Sequence, residues 1–204
     1  IDDISGIYLF ELAKRRPDVS FTMLSHSREI IEWIKEKAEW HKVTNINFEY
    51  SKNLATEKTN MDTVLCLDQM NRLPKKIWEN IIKESHKALK SKGKLILSFL
   101  NKKSLYGFLF RKGVSRRYGP ERSIAWTEVE NVLNHSGFAV SERVGFNLTP
   151  SFRLFFKTGV PGRYTFFNTY LRTLAKYNLL EKSVNKGILK NIATTNIVVA
   201  EKVS

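Results

Sequence analysis

Residues 61–99 constrain this chain more than any other stretch: they read as an apolar strand, a helix and a second apolar strand. Val64 to Leu67 and Leu95 to Leu100 are short continuous apolar runs, as expected of strands covered on both faces of a sheet. Between them the spacing predicts a helix from about Lys75 to Ser91. Trp78, Ile81, Ile82, Ala88 and Leu89 recur at intervals that put one apolar stripe on it. A Lys-rich last turn and then Gly93 are expected to end that helix. So short a strand–helix–strand unit is a parallel, right-handed crossover. The expected class is α/β, with a site at the carboxyl ends of the strands.

The rest of the chain keeps the alternation. Gly6 to Arg16 reads as a helix with Leu9, Leu12 and Ala13 inward, ended by Pro17 and Asp18. Val19 to Leu24 is a strand. Ser27 is the expected N-cap of a second helix, with Glu29 and Glu32 favourable in its first turn. That helix carries Ile30, Ile31, Trp33, Ile34 and Ala38 and ends near Trp40. Val43 to Tyr50 reads as a strand. Thr127 to Ser136 is helical, capped by Thr127 and stopped by Gly137, with Val129, Val132 and Leu133 inward. Phe138 to Phe146 and Thr194 to Lys202 are expected to be an antiparallel pair closing the sheet.

Composition sets the limits. A chain of 204 residues suits one domain with a full core. No apolar run reaches the length that spans a bilayer, and nothing resembles a secretory signal. Cys66 is the only cysteine, so an internal disulfide and a cysteine zinc site are excluded, and a reducing, cytoplasmic setting is expected. Cys66 reads as core. His26, His41, His86 and His135 show no metal spacing and read as surface histidines, with His26 placed at a strand end where it could face a site.

Charge is segregated. Residues 101–123 hold seven Lys/Arg against one acid, and residues 143–190 hold nine against one. Together these two segments equal the whole net charge of +14. Both interrupt the alternation, and both leave carboxyl ends of strands, so they are expected to rim the site and concentrate anionic ligands there. From Pro150 to Leu180 aromatic side chains interleave with Arg153, Lys157, Arg163, Arg172 and Lys176. Such a segment can be a helical cap with an aromatic core, a lid over a greasy acceptor, a membrane-surface element or a base-stacking surface.

The order of pieces resembles the class I S-adenosylmethionine-dependent methyltransferases. The resemblance rests on Ser5-Gly6-Ile7-Tyr8-Leu9 with Leu12-Ala13, on Arg16-Pro17-Asp18-Val19, and on Ser27-Arg28-Glu29. It continues through Met61-Asp62-Thr63-Val64, Leu89 to Leu95 and Ser136-Gly137-Phe138. It covers about residues 1–146 and 194–202. It implies a Rossmann-like three-layer αβα sandwich, with a mostly parallel seven-stranded sheet whose last strand is antiparallel. It also implies a single domain over 1–204, with the basic insertions 101–123 and 147–190 forming a helical cap or lid. The first, central strand is largely absent from the 204 residues: either residues before Ile1 supply it, or Ile1-Asp2-Asp3-Ile4 is its end.

The same resemblance implies S-adenosylmethionine as cofactor and S-adenosylhomocysteine as product. Ser5 and Gly6 would border the methionine moiety, Ser25 and His26 the ribose, and Asn53 and Leu54 the adenine. Leu67, Asp68 and Gln69 would wall the cleft. Arg116, Arg117, Tyr118 and Arg153 are the acceptor-side candidates. Three positions depart from the family pattern. Asp2, Asp3 and Ile4 stand where further glycines are expected. Ser25 stands where a carboxylate usually binds the ribose, and a hydroxyl binds it less strongly. Tyr50 or Ser51 stands at the adenine-side acid position. No general base is assignable. The expected activity is methyl transfer to a small-molecule or lipid-like, possibly anionic acceptor. The alternative is a catalytically inactive methyltransferase-like subunit, or a module binding RNA or another anionic partner. Peripheral membrane contact is compatible with the basic surface, and no RNA-binding motif is visible.

Overall fold

The computed structural model describes residues 6–52, 54–67, 69–104, 123–146 and 191–203. The helices are α1 (Ile7–Arg15), α2 (Arg28–Trp40), α3 (Lys75–Ala88) and α4 (Trp126–His135). The strands are β1 (Phe21–Ser25), β2 (Ile46–Tyr50), β3 (Met61–Cys66), β4 (Leu89–Leu100), β5 (Phe138–Phe146) and β6 (Thr195–Lys202). The described residues fall into two units. The first takes in residues up to Ser98 together with 130–141 and those from Val198 on; the second takes in Phe99–Val129 and Glu142–Ile197.

In the first unit, helix formation follows the side-chain periods. In α2, Ser27 adopts extended backbone and its hydroxyl accepts the Ile30 N–H at 3.3 Å, which caps the helix. Ile31, Ile34 and Ala38 face the core with Phe10, Ala13, Met23 and Ile46. Trp33 lies off this face. It is 44% exposed, and its ring is covered by the Lys37 ammonium at 3.8 Å. Phe10, not read as inward, is buried. β1 and β2 pair in parallel from Phe21↔Ile46 to Ser25↔Tyr50, as a crossover through α2 requires.

The 61–99 unit forms as read, with one correction. Trp78, Ile81, Ile82, Ala88 and Leu89 are all buried, and β3 and β4 are parallel. Gly93, however, does not end the helix. α3 stops at Ala88, Leu89 is already extended, and β4 runs on from there. The pairing jumps from Met61↔Leu89 to Thr63↔Lys94, so the segment around Gly93 is absorbed as an irregularity within the strand. A Cβ on Gly93 would lie 2.9 Å from the Lys90 carbonyl. The reason is tertiary: Leu89 is a core residue, and the Lys202 ammonium donates to the His86 and Leu89 carbonyls at 2.7 Å each. That supplies the helix C-terminus with a partner four residues early.

α4 begins one residue before expectation. Glu128 and Val129 N–H groups bond the Ala125 carbonyl, so Thr127 lies inside the helix and is not its cap. Gly137, at φ 81°, ends it as read. β5 and β6 are antiparallel: the Val203 N–H meets the Gly137 carbonyl at one end, and Arg143 meets Asn196 at the other.

The strands make two sheets, β1-β2 and β3-β4-β6-β5. Six strands are described, where seven are expected, and β1 and β3 each pair on one side only among the described residues. No helix among them is long and apolar enough to cross a membrane.

Candidate active site

Along the unpaired edges of β1 and β3, where the expected central strand would pair with both, the described residues leave a groove of about 940 Å³ within the first unit. Phe21 to Leu24 line one side, and Met61 to Leu65 with Leu67 line the other. Tyr8, Leu9 and Leu12 of α1 and Ser85 and Ala88 of α3 also line it. Leu54 joins it from the segment after β2. The groove therefore gathers residues that follow or precede three different strands.

Of the sequence candidates, the structure places Leu54 and Leu67 on this groove, next to Leu24. Leu54 is buried at a φ of 53°, held by its N–H to the Ser51 carbonyl at 3.1 Å. Ser25 ends β1 and is fully buried. Its hydroxyl accepts the Ser27 N–H at 3.3 Å, and its carbonyl accepts the Ser51 N–H at 2.9 Å. It thus ties the ends of β1 and β2 together. His26, the next residue, is exposed. Gln69 is buried, and its carbonyl accepts the Arg72 and Leu73 N–H groups. Gly6 precedes α1 at φ 67°, and a Cβ there would lie 2.6 Å from Phe10 Cε2 and 2.9 Å from Ile34 Cδ1. The groove lining includes neither Gly6, Ser25, His26 nor Gln69. Ser5, Asn53, Asp68, Arg116, Arg117, Tyr118 and Arg153 lie outside the described residues, as do nearly all of the two basic segments.

Three features were not legible in the sequence. The Arg28 guanidinium lies over the Tyr50 ring at 4.6 Å, where the ends of β1 and β2 meet. His86 was read as surface, yet its Nε2 is buried without a partner, edge-on to Phe138. Burial, then the Lys202 ammonium, holds its pKa below the usual histidine value. The third is a polar cluster in the second unit, around Arg143. Its Nε donates to Asn196 Oδ1 at 2.9 Å and its Nη1 to Asn191 Oδ1 at 3.1 Å, while its guanidinium covers the Trp126 ring at 4.5 Å. Asn101, at the end of β4, donates to the Asn191 and Ala193 carbonyls. Among the described residues no group of three His, Cys, Asp or Glu side chains could hold a metal ion.

Leu24, Leu54 and Leu67 give the groove part of its apolar lining.

Comparison with known proteins agrees with this geometry. Residues 5–93, a little under half of the chain, match the model of a methyltransferase domain family. No curated protein matches the chain in sequence. Among solved structures, the magnesium protoporphyrin IX methyltransferase of Synechocystis PCC 6803, crystallised with bound S-adenosylhomocysteine, is 15% identical at a TM-score of 0.56. The match covers 90% of this chain and 64% of that one, so the chain spans less than two thirds of that enzyme. A SAM-dependent methyltransferase from Methanosarcina mazei is 14% identical at a TM-score of 0.61, covering 96% of this chain and 86% of that one. The [4+2]-cyclase SpnF is 13% identical at 0.63, covering 97% and 71%. At these identities the likeness is one of fold, and the fold is the Rossmann-like one of the methyltransferases. The resemblance read from the sequence stands.

Proposed function

We propose that this chain, a methyltransferase-domain match over residues 5–93 on a methyltransferase fold, transfers a methyl group from S-adenosylmethionine to a small, anionic or lipid-like acceptor. The observation that carries the reading is the methyltransferase-domain match over residues 5–93, on a fold shared with solved methyltransferases.

The cofactor would supply a methyl group on a sulfonium, which needs in-line approach by a nucleophile. The protein's contribution is then chiefly positioning. Gly6 and Ser5 would pass close to the methionine end. Ser25 and His26 would meet the ribose. Asn53 and Leu54 would flank the adenine, with Leu67, Asp68 and Gln69 opposite. Arg116, Arg117, Tyr118 and Arg153 would hold the acceptor, and the basic segments 101–123 and 147–190 would roof the cleft and draw anions towards it. The buried thiol of Cys66 suits the reducing cytoplasm.

Isothermal titration of the full-length protein with S-adenosylhomocysteine tests the reading. Binding in the micromolar range is expected, weakened several-fold by Leu54→Asp. Failure to bind either S-adenosylhomocysteine or S-adenosylmethionine at millimolar concentration would overturn it.

A further inference from the structure

We infer that the start of β6 is a recognition site for a carboxylate on the acceptor, built from Asn196, Thr194 and Arg143. The inference rests on the methyltransferase reading only for what the carboxylate belongs to.

Residues 194, 196, 198 and 200 alternate onto one buried face of β6. At the far end that face is apolar, with Val198 and Ala200 wholly buried. At its beginning it turns polar: Thr194 is 7% exposed and Asn196 is fully buried. The Asn196 carbonyl oxygen is occupied by Arg143 Nε, which fixes the amide orientation. Its Nδ2 group, with two N–H donors, has no partner, and neither has the Thr194 hydroxyl. A buried donor left unmade costs about 1–3 kcal/mol, and folds rarely keep two such groups on one strand face without something that answers them.

The groups specify what answers them. An amide N–H pair and a hydroxyl two residues apart can both donate, and a guanidinium stands next to the amide. Its position is held by Asn196, Asn191 and the Trp126 face, and Trp126 is itself stacked on Phe99 with centroids 6.5 Å apart. Two buried donors near a fixed positive charge suit anionic oxygens such as those of a carboxylate. The site lies where β4 ends, since the Asn101 N–H bonds the Thr194 carbonyl at 2.8 Å.

The test uses the intact protein and benzoate as probe, with benzyl alcohol as its uncharged counterpart, followed through the side-chain amide resonances in a nitrogen–proton correlation spectrum. The Asn196 pair is identified by its loss in Asn196→Ser. Benzoate is expected to move that pair with millimolar affinity, benzyl alcohol to leave it still, and Thr194→Val to weaken benzoate about tenfold. S-adenosylhomocysteine affinity should be unchanged in Thr194→Val. An Asn196 pair unmoved by benzoate overturns the inference, as does a Thr194→Val protein that binds benzoate as the parent does. In the first case an ordered water is the partner of the two donors. The methyltransferase reading is judged separately: a protein that binds S-adenosylhomocysteine but not benzoate loses only the carboxylate site, and one that binds benzoate but not S-adenosylhomocysteine loses only the donor.

Discussion

His86 shows how a single side chain can change character once the chain folds. By sequence it sits in the polar last turn of α3, among lysines. In the fold it lies against Phe138, with Gly137 so close that a Cβ there would touch its ring at 2.7 Å. Its pKa is lowered first by burial and then by Lys202. The unfolded chain therefore takes up a proton near the ordinary value while the folded one resists it. Stability is accordingly full at neutral pH and above. It is expected to fall as pH drops through the ordinary histidine range towards the lower folded value. Thermal unfolding followed from pH 7.5 to about 5 should show that loss, and His86→Gln should flatten it. A curve unchanged by the substitution would assign the loss to other groups. Gly6 is the opposite case. Its value was visible as the glycine preceding a helix, and the structure adds the reason: a left-handed φ, with Phe10 and Ile34 filling the side-chain space.

At the scale of elements, local pattern and fold agree wherever the determining contacts are near in sequence. Ser27 caps α2 through a bond three residues on. Replacing it by Ala is expected to cost about 1 kcal/mol in urea unfolding, with no change in S-adenosylhomocysteine affinity at the intact fold. A cost near zero would show that the bond at 3.3 Å contributes little. The same locality made α1, α2, α3 and the strands β5 and β6 legible, since each is written in a period of 3.6 or 2. Expectation failed where a distant element intervened. Gly93 has the look of a helix stop, but Lys202, 113 residues from Leu89, ends the helix earlier. The candidate site was half legible for the same reason. Leu54 and Leu67 could be placed by strand ends, while the Arg28–Tyr50 stack depends on β1 and β2 meeting in register.

For the whole molecule, charge is the property most directly carried from sequence to behaviour. The net +14 is concentrated in two segments proposed to roof the cleft. Raising ionic strength from about 0.01 M to about 0.1 M shortens the screening length from roughly 30 to 10 Å. Benzoate affinity should fall over that range in the parent protein. It should fall less when Arg116, Arg117 and Arg153 are neutralised together as Gln, while S-adenosylhomocysteine affinity stays unchanged. The same titration read by calorimetry checks it, and an equal salt slope in both proteins would remove these arginines from the acceptor side.

What the sequence determined by itself was the alternation of strands and helices, their order and the faces they bury. These follow from side-chain periods within one element, and with them came the methyltransferase-like scaffold. Only the tertiary structure decided where β4 begins and which polar atoms are left buried without a partner. Those outcomes depend on pairings between residues such as Arg143 and Asn196, 53 positions apart, or Lys202 and His86, 116 apart. Burial and desolvation at such pairings are set by the neighbours that folding brings together, and no local period records them.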